Sequence, residues 1–83
     1  MKVLYFAWVR ERIGLAGEDI SPPEEVTTVG ELMGWLREKG DGYGAAFENM
    51  NAIRAALDRT HVRHDAKIDG AREIAFFPPM TGG

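Results

Sequence analysis

The residues best placed to do chemistry close the sequence, where Phe76-Phe77-Pro78-Pro79-Met80-Thr81 runs into Gly82-Gly83. Pro78-Pro79 favours an extended polyproline conformation, which holds Met80 to Gly83 away from a folded body. Gly82 and Gly83 carry no Cβ, so their backbone fits a channel too narrow for any other residue. The one reactive group there is the α-carboxylate of Gly83. An ionised carboxylate is a poor electrophile, but ATP converts it to an acyl adenylate, and a nucleophile such as sulfide or an amine then takes the carbonyl. No side chain crowds that carbon. The plainer reading is a frayed terminus that ends in glycine by chance. A rigid Pro-Pro step behind an apolar strand favours the chemical reading.

Other candidates are weaker. His61 and His64, with Asp65 and Asp69 nearby, invite a metal site, yet a structural zinc site needs four donors at tight spacing. Residues three apart on a strand also point to opposite faces, so solvated surface side chains and no metal are expected. Gly40-Asp41-Gly42-Tyr43-Gly44 contains a G-x-G, but it comes after a helix and lacks a surrounding βαβ unit, so a flexible loop is expected. The chain has no cysteine, which excludes disulfides and thiolate chemistry and fits a reducing compartment. No side-chain active site and no intrinsically bound cofactor are expected.

Eighty-three residues make one domain with a modest core. Net charge is −3, and residues 51–83 hold five Lys/Arg against four Asp/Glu. That is no basic stripe, which argues against a nucleic-acid partner. No apolar run is long enough to span a bilayer. KVLYFAWV, residues 2–9, predicts a strand with Val3, Tyr5, Ala7 and Val9 on one face and Leu4, Phe6 and Trp8 on the other. With both faces apolar, the strand is either covered twice or meets a partner. A second strand is expected near 17–26, softened by Pro22 and Pro23.

Thr28 and Glu31 make a capping box ahead of Val29, Leu32, Met33 and Leu36, which predicts the main helix, with Gly40 as a left-handed C-terminal cap. A short second helix is expected around Phe47 and Met50. Alternation predicts strands over 53–58, 61–63 and 73–77, with turns at Asp58-Arg59 and Asp69-Gly70. In the last strand Ile74 and Phe76 face one side, Ala75 and Phe77 the other. The order is α+β, a mixed sheet crossed by one main helix. Residues 1–77 form the domain and 78–83 the projecting tail.

The opening KVLYFAWVRERIG and the ending EIAFFPPMTGG closely resemble the small subunits of molybdopterin synthase, ubiquitin-like sulfur carriers of molybdenum-cofactor biosynthesis. The resemblance implies a β-grasp fold. It also implies that an activating enzyme with a ubiquitin-E1-like fold adenylates Gly83 with ATP, and that a sulfur donor system converts it to a thiocarboxylate. The tail, Pro78 to Gly83, would then insert into the large synthase subunit, in an assembly of two carriers and two large subunits. There sulfur passes to cyclic pyranopterin monophosphate to build the dithiolene. It places Phe6 and Phe77 on the apolar surface that meets the large subunit, with Leu4, Trp8 and Ala75 on the same predicted faces. It also implies a cytoplasmic setting. Departures are Asp58 where Asn is common, a shifted Asp69-Gly70 pair, and His61 where an apolar residue usually adds to the interface. Rival readings are a carrier for thiamine or tRNA thiolation, a ubiquitin-like modifier, and an interaction domain with an inert tail.

Overall fold

The computed structural model describes residues 1–79. Its first strand, β1 (Lys2–Tyr5), stops four residues short of the expected strand over 2–9. Phe6 keeps an extended backbone, Ala7 turns into the left-handed region at φ 52°, and α1 (Ala7–Ile13) begins. An all-apolar run carries no period, so nothing in KVLYFAWV marks the break. Gly14, at φ 88°, ends α1 with its N–H on the Arg10 carbonyl at 2.8 Å, a conformation a β-carbon would strain.

The second strand is only β2 (Gly17–Asp19), because Pro22 and Pro23 lack ladder donors. The main helix, α2 (Val29–Arg37), starts as expected. Thr28 Oγ1 accepts from the Glu31 N–H at 3.1 Å, and Glu31 Oε1 accepts from the Thr28 N–H at 3.2 Å. Its end differs. Glu38 closes the helix in a right-handed conformation, and Gly40 is extended at φ 167°, serving instead as the N-cap of α3 (Asp41–Ala46). The glycine-rich stretch is therefore helical and not a loop. A Cβ on Gly42 would sit 2.6 Å from the Arg12 carbonyl oxygen, so glycine lets α3 lie against the end of α1. Phe47 caps α3, and Met50–Ala52 forms a 3₁₀ turn.

Three strands complete the sheet: β3 (Arg54–Leu57), β4 (Thr60–Val62) and β5 (Glu73–Phe77). Asp58 and Arg59, at φ 47° and 72°, form the tight turn between β3 and β4. Gly70 turns at φ 75° ahead of β5. The sheet order is β2-β1-β5-β3-β4, with β5 parallel to β1 and antiparallel to β3. This is the mixed α+β arrangement the sequence predicts.

Among the described residues only one face of the sheet is packed. Val3, Tyr5, Ala55, Ile74 and Phe76 point into a core closed by the stripe of α2 and by Phe47 and Ile53. Phe47 meets Phe76 edge-on, with ring centroids 5.2 Å apart at 84°. Such a pair adds about 1 kcal/mol to the burial of both rings. The edge strand β2 is pinned by a polar knot. Glu18 accepts from the Tyr5 hydroxyl at 2.8 Å and the Tyr43 hydroxyl at 2.6 Å, with the Lys39 ammonium at 3.4 Å. Burial works to raise the Glu18 carboxyl, but the hydrogen bonds from Tyr43 and Tyr5 and the Lys39 charge outweigh it and leave it below its ordinary value. Burial and the Glu18 carboxylate push the Tyr43 phenol up to about 12.

Candidate functional site

The second face of the sheet has no helix over it among the described residues, and the register shows which residues share it. Leu4 lies beside Ala75, Ala75 beside Ala56, and Ala56 beside His61. One pleat further toward the end of β5, Phe77 lies beside Arg54. The result is a shallow apolar band across four strands, with Leu4, Ala75 and Phe77 half-buried and Ala56 held at 7% exposure by its neighbours. Contiguous apolar surface of this kind marks a docking face more often than a solvated one.

At the β1 end of the band stands Phe6. Its N–H bonds the Phe76 carbonyl at 3.1 Å, which continues the β1–β5 ladder one step beyond the strand. The left-handed turn at Ala7 then takes the chain away and leaves the ring 47% exposed, the most exposed large apolar residue of the structure's described part. Trp8 is a correction. The expected strand would have set it on the face of Leu4 and Phe6, but α1 carries it off the sheet. There it packs against the core margin with the Arg12 guanidinium 4.4 Å from its ring centroid.

His61 joins the band at the position where the resemblance sets an interface residue. Its ring lies 5.2 Å from that of Phe77, across the intervening strand β3. His64 points elsewhere: its Nε2 is 2.8 Å from the Ile53 carbonyl oxygen. His64 lies in the turn past Val62 and not on β4, so strand alternation does not govern the pair, and among the described residues no three His, Asp or Glu side chains converge.

The band ends where the chain leaves it. β5 is the middle strand, and Phe77 passes directly into Pro78 and Pro79, both half-buried. Met80, Thr81, Gly82 and Gly83, on which the sequence places the chemistry, lie outside the described residues. Within residues 1–79 the arrangement gathers no metal cage. It offers a flat apolar face whose central strand feeds a proline-stiffened exit, a geometry suited to being held by another protein. No helix among the described residues is long and apolar enough to cross a membrane.

Comparison with known proteins bears on the whole length. The profile of the ThiS family matches residues 3–83. The molybdopterin synthase sulfur carrier subunit of Escherichia coli (strain K12) is 35% identical over 83 residues, covering 100% of this chain and 99% of that protein. The subunit of the same name from Haemophilus influenzae is 34% identical with the same coverage, and that of Mycosarcoma maydis is 32% identical over 87 residues, covering 100% of this chain and 92% of its own length. Among solved structures, SAMP1 from Haloferax volcanii superposes with a TM-score of 0.72 at 22% identity, over 100% of this chain and 98% of that one. A putative molybdopterin converting factor subunit 1 from Pyrococcus furiosus gives 0.72 at 25% identity, over 95% of each chain. The fold is thus the ubiquitin-like β-grasp.

Proposed function

The chain belongs to the ThiS family, and from that premise we propose that it is the sulfur-carrier small subunit of a molybdopterin synthase. Its relatives of that name run the full length of the chain, and the observation that carries the reading is the placement of β5. The strand sits in the middle of the sheet, presents Ala75 and Phe77 on an uncovered apolar face, and leads straight into Pro78-Pro79. A partner that covers this face receives the tail in one fixed direction.

The large synthase subunit is that partner. In the proposed cycle an activating enzyme transfers AMP from ATP to the Gly83 carboxylate and releases pyrophosphate. A donor system then supplies sulfur at the sulfide level, which attacks the acyl carbon, releases AMP and leaves a thiocarboxylate. The carrier binds neither ATP nor a cofactor of its own. On the large subunit Pro78, Pro79, Met80, Thr81 and Gly82 lie in the entry channel, and the thiocarboxylate sulfur passes to cyclic pyranopterin monophosphate as water cleaves its bond to the Gly83 carbonyl carbon and restores the carboxylate. Leu4, Phe6, Ala75 and Phe77 form the docking band, with Trp8 at its flank on α1. Residues 1–77 act as the rigid handle and 78–83 as the arm, in a reducing cytoplasm where a thiocarboxylate survives.

Intact mass spectrometry tests the chemistry. After incubation with an activating enzyme, ATP and a sulfide source, the expected gain is that of one oxygen replaced by sulfur, located on Gly83 by fragmentation. An unchanged mass, with the enzyme active on a control carrier, overturns the reading. Gly83→Ala is expected to impair activation or delivery while the thermal midpoint stays within about 1 °C, because the core cluster is assembled from residues 3–76.

A further inference from the structure

Beyond the apolar band, the corner of the sheet beside Phe77 carries a charge arrangement that the fold itself does not explain. The β3–β4 ladder pairs Ala56 with His61 and ends with Ala55 beside Val62, so Arg54 and Arg63 are the next residues on either side of its end. Both are exposed, and together with Asn51, Val62 and His64 they line a cleft of about 320 Å³ that no acidic residue lines. Among the described residues the one ion pair is Lys39–Glu18, on the other side of the sheet, so neither guanidinium has an acid partner there. Like charges brought together at the end of a ladder work against the pairing beside them. The juxtaposition is the more marked in a chain whose net charge is −3.

We propose that Arg54 and Arg63 form a two-arginine seat for a carboxylate on the protein that receives the tail. A guanidinium presents its donors as a fork that fits a carboxylate with two parallel hydrogen bonds. The occupant is a side chain of a docked protein and not a free anion, because Arg54 is the cross-strand neighbour of Phe77. The seat is therefore continuous with the apolar band and shares its cover. Placed at the rim beside the tail's exit, it fixes how far along β5 the partner sits, and so how deep the tail reaches. This inference rests on the carrier reading, and it adds a recognition element that the apolar face alone does not supply.

The test measures affinity for the large synthase subunit, salt dependence and thermal midpoint for the unmodified chain, for Arg63→Glu, and for Arg54→Glu combined with Arg63→Glu. The double reversal is expected to weaken binding by about 100-fold and to remove much of its salt dependence. Arg63→Glu alone puts a carboxylate in the cleft that Arg54 lines. It is expected to raise the midpoint of the free chain by about 2 °C while weakening binding, a split that a purely structural role does not produce. Affinity of the double variant within about twofold of the original, with the salt dependence intact, overturns the seat and leaves the carrier reading standing. Inorganic phosphate that shifts the Arg54 and Arg63 amide signals, together with unchanged affinity of the double variant for the large subunit, overturns it in favour of a free-anion site. Failure of the unmodified chain to bind the large subunit overturns the carrier reading and the seat with it.

Discussion

Ile74 and Phe76 are fully buried, whereas Ala75 and Phe77, on the same strand, are not. The two faces of β5 show how a small domain divides its apolar residues between folding and docking. The inner pair meets Phe47 and the α2 stripe, and it stabilises the fold whether or not a partner is present. The outer pair meets Leu4, Ala56, Arg54 and His61, and stays only half-buried. Alternation makes both sides apolar, but only geometry separates the side that the chain fills by itself.

Substitutions that strike one face should spare the other. Phe76→Ala is expected to cost about 4 kcal/mol, most of what a domain of this size has, and to leave the chain largely unfolded in a denaturant titration. Phe77→Asp should cost about 1 kcal/mol or less, yet weaken association with the large subunit by about 100-fold. If both variants lost stability equally, the division between faces would be broken. Ala7→Gly should raise stability by about 1 kcal/mol, since glycine adopts the left-handed turn without the clash that alanine meets there. A change of that size in chemical denaturation, with Phe6 still on the band, would place the strain at the hinge between strand and helix.

The smallest effect belongs to the knot around Glu18. Its carboxyl is held below its ordinary 4.5, so its contribution is whole above that value and fades as pH falls through the folded-state value. Tyr43 has the opposite sign: raised from 10.0 to about 12, it stabilises fully below pH 10 and loses that contribution as pH climbs through 12. Tyr43→Phe should flatten the acid limb of the thermal midpoint against pH, and an unchanged limb would remove Glu18 from the account.

What the sequence could announce was local. The Thr28–Glu31 capping box, the alternation of Ile74 to Phe77 and the Asp58-Arg59 turn each depend on residues within four of one another, and all stand in the structure. The end of β1 was not legible, because Val3 to Val9 is apolar at every position except the half-polar rings, and the turn there is made by an alanine in a conformation alanine rarely takes. Arg37 and Lys39 ahead of Gly40 look like a glycine-capped helix end, but the chain uses that glycine to open α3. On the open face Leu4, Ala75 and Phe77 could be grouped from alternation. The company of Ala56, Arg54 and Arg63 depends on the register between distant strands, which one-dimensional periodicity does not carry.

The strand that carries the tail is also the last of the five to leave the ribosome, and it is the middle of the sheet. Lys2 pairs with Glu73, so the first strand waits for nearly the whole domain before its parallel neighbour exists. Until then β1–β2 and β3–β4 are separate ribbons with nothing between them, and neither a core nor a docking band is present. A chain cut short before β5 would lack the strand that bridges the two ribbons, and with it Ile74 and Phe76 of the core. The strand that feeds the tail is thus also the one that joins the two ribbons into a sheet.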